Sequence, residues 1–126
     1  MMTTITNFSD LELSEGPGSR YAEALTEDGE ISVFSGIVTL DSDTCLTSID
    51  VTLPDPVSPG DNYKRLQIVD LAGLAHTVTP DTPFGNGGAG EAVATFSGTV
   101  GDSLKLMAYG GFWYVTGKHQ VTIAAS

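Results

Sequence analysis

The sequence predicts an all-β protein: a compact β-sandwich or barrel-like domain of short antiparallel strands with an extended N-terminal arm. Three observations carry this. Short runs rich in Val, Thr, Leu, Phe, Tyr and Trp recur at spacings of about ten residues from Ile31 to Ala124. Gly and Pro clusters separate the runs, and the helical pattern is confined to one short stretch near the N-terminus. Apolar residues make up 40% of the 126-residue chain and charged residues only 17%; Thr, Ser and Gly fill the gap, which suits strands with polar, uncharged outer faces. The length fits one β-domain, 31–126, preceded by an arm, 1–30.

The arm is acidic, contains Gly16-Pro17-Gly18, and holds apolar residues (Ile5, Phe8, Leu11, Leu13) too sparse to build a core. Within it, SRYAEALTEDG predicts a short helix with Ser19 as N-cap, Ala22, Ala24 and Leu25 inside, and Gly29 just past its end. A helix of about two turns is marginal in water without a surface to pack on. The segment therefore reads as a partner-docking arm.

From Ile31 the pattern is β. ISVFSGIVTL makes one strand, or two around Gly36. SIDVTL alternates, with Ile49, Val51 and Leu53 on one face and Ser48, Asp50 and Thr52 on the other. Pro54, Pro56, Pro59 and Gly60 form a loop that cannot continue a sheet. In KRLQIVDL, Leu66, Ile68 and Leu71 are the candidate inward residues. HTVT is a short strand, and PDTPFGNGGAGEA a long glycine-rich loop. VATFSG, SLKLMAY, FWYVT and QVTIA follow. Gly110-Gly111, two residues that accept positive φ between strand-like runs, predicts a tight hairpin. No internal repeat is convincing.

Charge is lopsided. Residues 1–50 hold ten of the sixteen acids against Arg20 alone; the remaining six acids face Lys64, Arg65, Lys105 and Lys118. A net charge of −11 disfavours nucleic acid and anionic membranes as partners, because both would repel it. It marks a solvated surface, or an acidic first third that docks on a basic protein surface. Cys45 is alone, so no intrachain disulfide forms, and with no cation beside it the thiol reads as a small buried hydrophobe. No apolar run approaches the length of about 18 residues needed for a membrane span, and MMTTITNFSDLELSE lacks the basic start and apolar core of a signal peptide. A cytoplasm-like compartment, or something assembled in one, is expected.

Chemistry-bearing motifs are weak throughout. The loop from Gly85 to Gly90 lacks the lysine and hydroxyl of a phosphate loop and precedes no helix; it reads as a β–β connection or an intersubunit contact. Asp41-Ser42-Asp43 begins like a calcium loop but lacks the glycine and distal glutamate. His76 and His119 have no second ligand nearby, which favours polar roles over zinc. No serine sits in a nucleophile elbow. The expectation is no enzyme: no catalytic residue, no metal and no cofactor. In the cluster Tyr109, Phe112, Trp113, Tyr114, alternation puts Phe112 and Tyr114 on one face and Trp113 on the other, so at least one face is core.

The stretch from Asp28 to Ala124, about three quarters of the chain, resembles small bacteriophage head-decoration (capsid cement) proteins and related phage virion β-domains. The resemblance rests on DGxIS followed by SGxVTL, on PGDNYKRLQIVD, AHTVT, FGNGG with VATFSG, and GDSLKLMAYGGFWYV. It implies a non-enzymatic minor capsid protein that forms homotrimers on the outer capsid surface, binds the major capsid protein and stabilises the shell. The virion would be assembled in the host cytoplasm. Ile5, Phe8, Leu11, Leu13, Arg20 and Tyr21 are then the candidate capsid-binding residues of the arm, and Phe84, Asn86, Phe112 and Trp113 the candidate subunit interface. The alternative is a tail-fibre or spike-associated β-module binding a host receptor or glycan, for which the aromatic cluster would be the platform.

Overall fold

The structure, a computed structural model, describes residues 22–32, 35–41, 47–86 and 91–125. Its strands, in chain order, are β1 (Ala22–Leu25), β2 (Gly29–Glu30), β3 (Gly36–Leu40), β4 (Asp50–Leu53), β5 (Arg65–Asp70), β6 (Thr77–Pro80), β7 (Val93–Phe96), β8 (Ser103–Tyr109), β9 (Phe112–His119) and β10 (Val121–Ala124). They form two five-stranded sheets packed as a compact sandwich, one ordered β1-β3-β5-β8-β9 and the other β10-β7-β6-β4-β2. No helix occurs among the described residues.

The all-β sandwich is as the sequence implies, but the sheets are mixed rather than antiparallel. The pairs β1–β3, β3–β5, β2–β4 and β4–β6 are parallel, and antiparallel pairing begins only with the second half of the chain. The cause is the path. The first six strands alternate strictly between the two sheets, so each returns to its own sheet running in the same direction.

A second correction concerns the predicted helix. Ala22–Leu25 is a strand, in register with Ile37–Leu40. The Glu23 carboxylate accepts hydrogen bonds from the Ser32 N–H and hydroxyl, both at 2.8 Å, and Leu25 packs against the core. Two turns of helix offer nothing comparable, so tertiary pairing overrides helix propensity. Gly29 and Glu30 pair with Val51 and Thr52, and the Asp28 carboxylate accepts from the Asp50 N–H. Of the residues assigned to the arm from the sequence, Ala22–Leu25 and Gly29–Glu30 thus belong to the sheets. Ser19 lies outside the described residues.

Alternation builds the core. Val38, Leu40, Leu66, Ile68, Leu104, Leu106, Ala108 and Trp113 point inward from the first sheet; Val51, Leu53, Val78, Ala94, Phe96 and Val121 meet them from the second. Ile31, Ile49 and Phe84 fill the core from connections. Burying each large side chain contributes roughly 1.5–3 kcal/mol. Leu71, expected inward, is 46% exposed, because β5 ends with Asp70 in the inward register after Leu66 and Ile68. Trp113 Nε1 donates to the Pro54 carbonyl at 2.9 Å, tying β9 to the loop after β4.

The β8–β9 hairpin turns where expected, with Tyr109 opposite Phe112 and Gly110 and Gly111 at φ 62° and 88°. Nothing lies within 4 Å of a Cβ built on either glycine, so substitution there is a conformational test alone. Gly110→Val is expected to lower unfolding free energy by roughly 1–2 kcal/mol, the cost of a left-handed L-residue, with Gly110→Asn costing less. Urea midpoints measure both.

Candidate functional site

Two places in the sandwich concentrate polar or exposed chemistry. The first is the outer face of the β1-β3-β5-β8-β9 sheet. The residues between the buried ones point outward here: Ile37, Arg65, Gln67, Val69, Lys105, Met107, Tyr109, Phe112 and Tyr114. Ile37, Tyr109 and Phe112 are exposed, and Tyr63 stands beside Tyr109 with ring centroids 5.4 Å apart. No strand residue on this face is acidic. The opposite sheet presents another surface: Asp50, Thr77, Thr95 and Thr122 form one register row, Glu30, Thr52 and Thr79 a second. A polar, acid-bearing back and an apolar, cationic front make the body two-sided.

Arg65 and Lys105 lie side by side on the front. Lys105 is opposite Gln67 and Arg65 opposite Met107, so the two cations are diagonal neighbours on adjacent strands. Such neighbours stand about 7–8 Å apart. They line a groove of about 290 Å³ with Gly36, Leu66, Gln67, Leu106 and Thr116. The Lys105 stem lies across Gly117, its Cδ 3.6 Å from where a Cβ there would sit. Neither cation is ion-paired among the described residues, where Lys64 pairs with Asp61 at 2.7 Å. The Lys64 ammonium, with the Val57 N–H, holds the Asp61 carboxyl below its usual range.

The second place is a buried polar knot at one end of the sandwich. Asp70, His76 and Asp102 are buried completely or nearly so. Asp70 Oδ1 accepts from the Ala72 and Gly73 N–H groups, both at 2.9 Å, and shapes the turn after β5. Asp102 Oδ2 accepts from the Ser97 hydroxyl at 2.6 Å and the Gly98 and Thr99 N–H groups at 3.2 and 3.1 Å, shaping the turn after β7. The Asp70 N–H donates to the Asp102 carbonyl, joining the two turns. His76 Nδ1 accepts from the Ile49 N–H at 2.9 Å, which fixes the tautomer with its proton on Nε2, 3.4 Å from Asp70 Oδ1. Asp70 Oδ2, His76 Nε2 and Asp102 Oδ1 have no hydrogen-bond partner among the described residues. Burial pushes the Asp102 carboxyl up, but the Ser97 hydroxyl and the N–H groups of Thr99, Gly98 and Ser97 outweigh it and hold the group below its usual range.

The expected interface residues separate. Phe84 and Trp113 lie in the core of their own chain. Asn86 is exposed but engaged by its own β9, its Oδ1 accepting from the Val115 N–H and its Nδ2 donating to the Val115 carbonyl. Phe112 alone of the four is both exposed and on the two-sided body's apolar front. A Cβ on Gly85 would sit 2.6 Å from the Tyr114 ring, so this part of the glycine-rich loop closes on β9. Ile5, Phe8, Leu11, Leu13, Arg20, Tyr21 and Cys45 lie outside the described residues. Among the described residues no group of three or more His, Cys, Asp or Glu is placed to hold a metal ion. No protein-family model matches the chain, and no curated protein is similar to it in sequence.

Sequence reasoning passed over Asp70 and Asp102, and counted Arg65 and Lys105 only as charges. Asp70 did carry a signal, a charged residue at an inward position of an alternating strand.

Because the Asp102 carboxyl is lowered in the folded state, its contribution is complete above the unfolded value near pH 4 and is lost as pH falls through the folded one. Asp102→Asn is expected to cost about 2 kcal/mol at pH 7, the scale of charge-assisted hydrogen bonds, and to flatten the acid limb below about pH 4. Urea unfolding from pH 7 down to pH 2 reads both effects.

Proposed function

We propose that the chain is a structural protein of a bacteriophage virion, a capsid decoration (cement) protein that binds the outer head surface as a homotrimer. The observation that supports this most is the two-sided body, with an apolar, cationic front and a threonine-rich, acid-bearing back. A ring of copies uses two different surfaces per subunit, each meeting the other kind on its neighbour. Three copies presented together turn weak contacts with a shell into firm attachment through effective concentration. The acidic segment before Ala22 leads in sequence into the edge strand β1, which supports a role for it as an arm.

The reading of a receptor- or glycan-binding module draws on the exposed Tyr63–Tyr109 pair with Phe112 nearby. It loses Trp113, the best stacking residue of the cluster, to the core.

Light scattering at low micromolar concentration is expected to give three times the chain mass. The double variant Tyr109→Asp, Phe112→Asp, changed only at exposed positions, should reduce it to one chain with an unaltered far-UV spectrum. A monomeric wild type would overturn the solution trimer. Co-sedimentation of the full chain with undecorated phage heads tests the capsid role: Phe8→Ala, Leu11→Ala, Leu13→Ala together should weaken it, and wild-type protein left in the supernatant would overturn it. Saturable binding on a glycan array would instead favour the receptor reading.

A further inference from the structure

The strongest mismatch in the molecule is electrostatic. A chain of net charge −11 places two of its five Lys and Arg residues side by side in a groove where no strand residue is acidic. The segment before β1 has the complementary pattern. Phe8-Ser9-Asp10-Leu11-Glu12-Leu13-Ser14-Glu15 interleaves three carboxylates with three large apolar side chains. The front of the sheet offers both partners, the cations Arg65 and Lys105 and the apolar Ile37 and Met107.

Placement agrees with charge. Ala22 pairs with Ile37, and Gly36, the residue before Ile37, lines the groove. The chain therefore enters β1 at the groove's own end of the sheet. From β1, Arg65 on β5 is two strands away and Lys105 on β8 three, about 10 and 14 Å at normal strand spacing. Extended, residues 16–21 reach about 20 Å. Gly16-Pro17-Gly18, within that span, is a turn-favouring sequence.

We propose that the segment Phe8–Glu15 seats in the Arg65–Lys105 groove of its own chain, with carboxylates of Asp10, Glu12 or Glu15 on the two cations. The groove is then a carboxylate-binding docking site, and its occupant is the chain's own acidic arm. Seated in this way in the free protein, the segment would have to leave the groove to grip a shell; the docking is tested without phage heads, so it and the capsid reading fail separately.

Zero-length carbodiimide coupling of the full-length protein, which joins a carboxylate to a lysine amine in contact, tests it by peptide mass spectrometry. The expected product joins Lys105 to Asp10, Glu12 or Glu15. In an equal mixture of isotopically light and heavy protein it should appear as light–light and heavy–heavy pairs only. Its yield should fall several-fold in high salt and in Arg65→Glu, with Arg65→Gln as the milder variant, while coupling at Lys118 stays unchanged. Absence of the Lys105 product, equal yield in the Arg65 variants, or mixed light–heavy pairs would each overturn a seat on the same chain.

Discussion

Parallel neighbours cannot be joined by a hairpin, and the described residues contain no helix to make the crossover. Every return to a parallel neighbour in β1–β3–β5 or β2–β4–β6 therefore passes through a strand of the opposite sheet. That constraint sets much else. At each crossing the backbone leaves its ladder near the core, and its polar groups must find partners there. Between β2 and β3 the Ile31 N–H finds the Thr52 carbonyl. Entering β4, the Ile49 N–H finds the His76 ring; leaving β5, the Ala72 and Gly73 N–H groups find Asp70. Between β7 and β8, Asp102 serves Gly98 and Thr99. The three buried polar side chains among the described residues, Asp70, His76 and Asp102, thus all stand where the chain changes sheets. Replacing one would leave backbone donors unpaired in the interior, which costs more than the hydrogen bond alone.

The antiparallel half closes what the parallel half opens. A sheet edge presents unpaired N–H and C=O groups that invite foreign strands. On the β9 side, Gly85 donates to the Trp113 carbonyl and Asn86 occupies both groups of Val115. Phe84 anchors that cover in the core, and its N–H donates to the Glu91 carbonyl. The described start of the glycine-rich loop, Phe84 to Asn86, thereby serves its own chain. A side chain at Gly85 would press on the Tyr114 ring, a contact that no local reading of FGNGG reveals.

What was legible in the sequence was local. The inward row Ile49, Val51, Leu53, the Gly110-Gly111 turn and the split of Trp113 from Phe112 all follow from a period of two and from glycine's access to positive φ. Parallel pairing was not legible, because a strand alternates in the same way whichever direction its neighbour runs. Ala22–Leu25 misled because AEAL has helix propensity, whereas the partners that make it a strand, Ser32 and β3, are supplied by the fold. Arg65 and Lys105 are far apart in sequence and meet only through the β5–β8 register.

That meeting constrains what can cover the front of the sheet. In open water two like charges about 7.5 Å apart repel by only about 0.5 kcal/mol, so the bare face tolerates them. Any cover that excludes water raises the cost, unless it brings carboxylates. A second copy packed front to front about a twofold axis would bring four cations together around one groove, which counts against an isologous dimer here. A cover drawn from the acidic first third, or from the Asp50- and Glu30-bearing back of another copy, brings the opposite charge. The asymmetry of the faces thus favours heterologous contacts, the kind that close into rings, over face-to-face pairs.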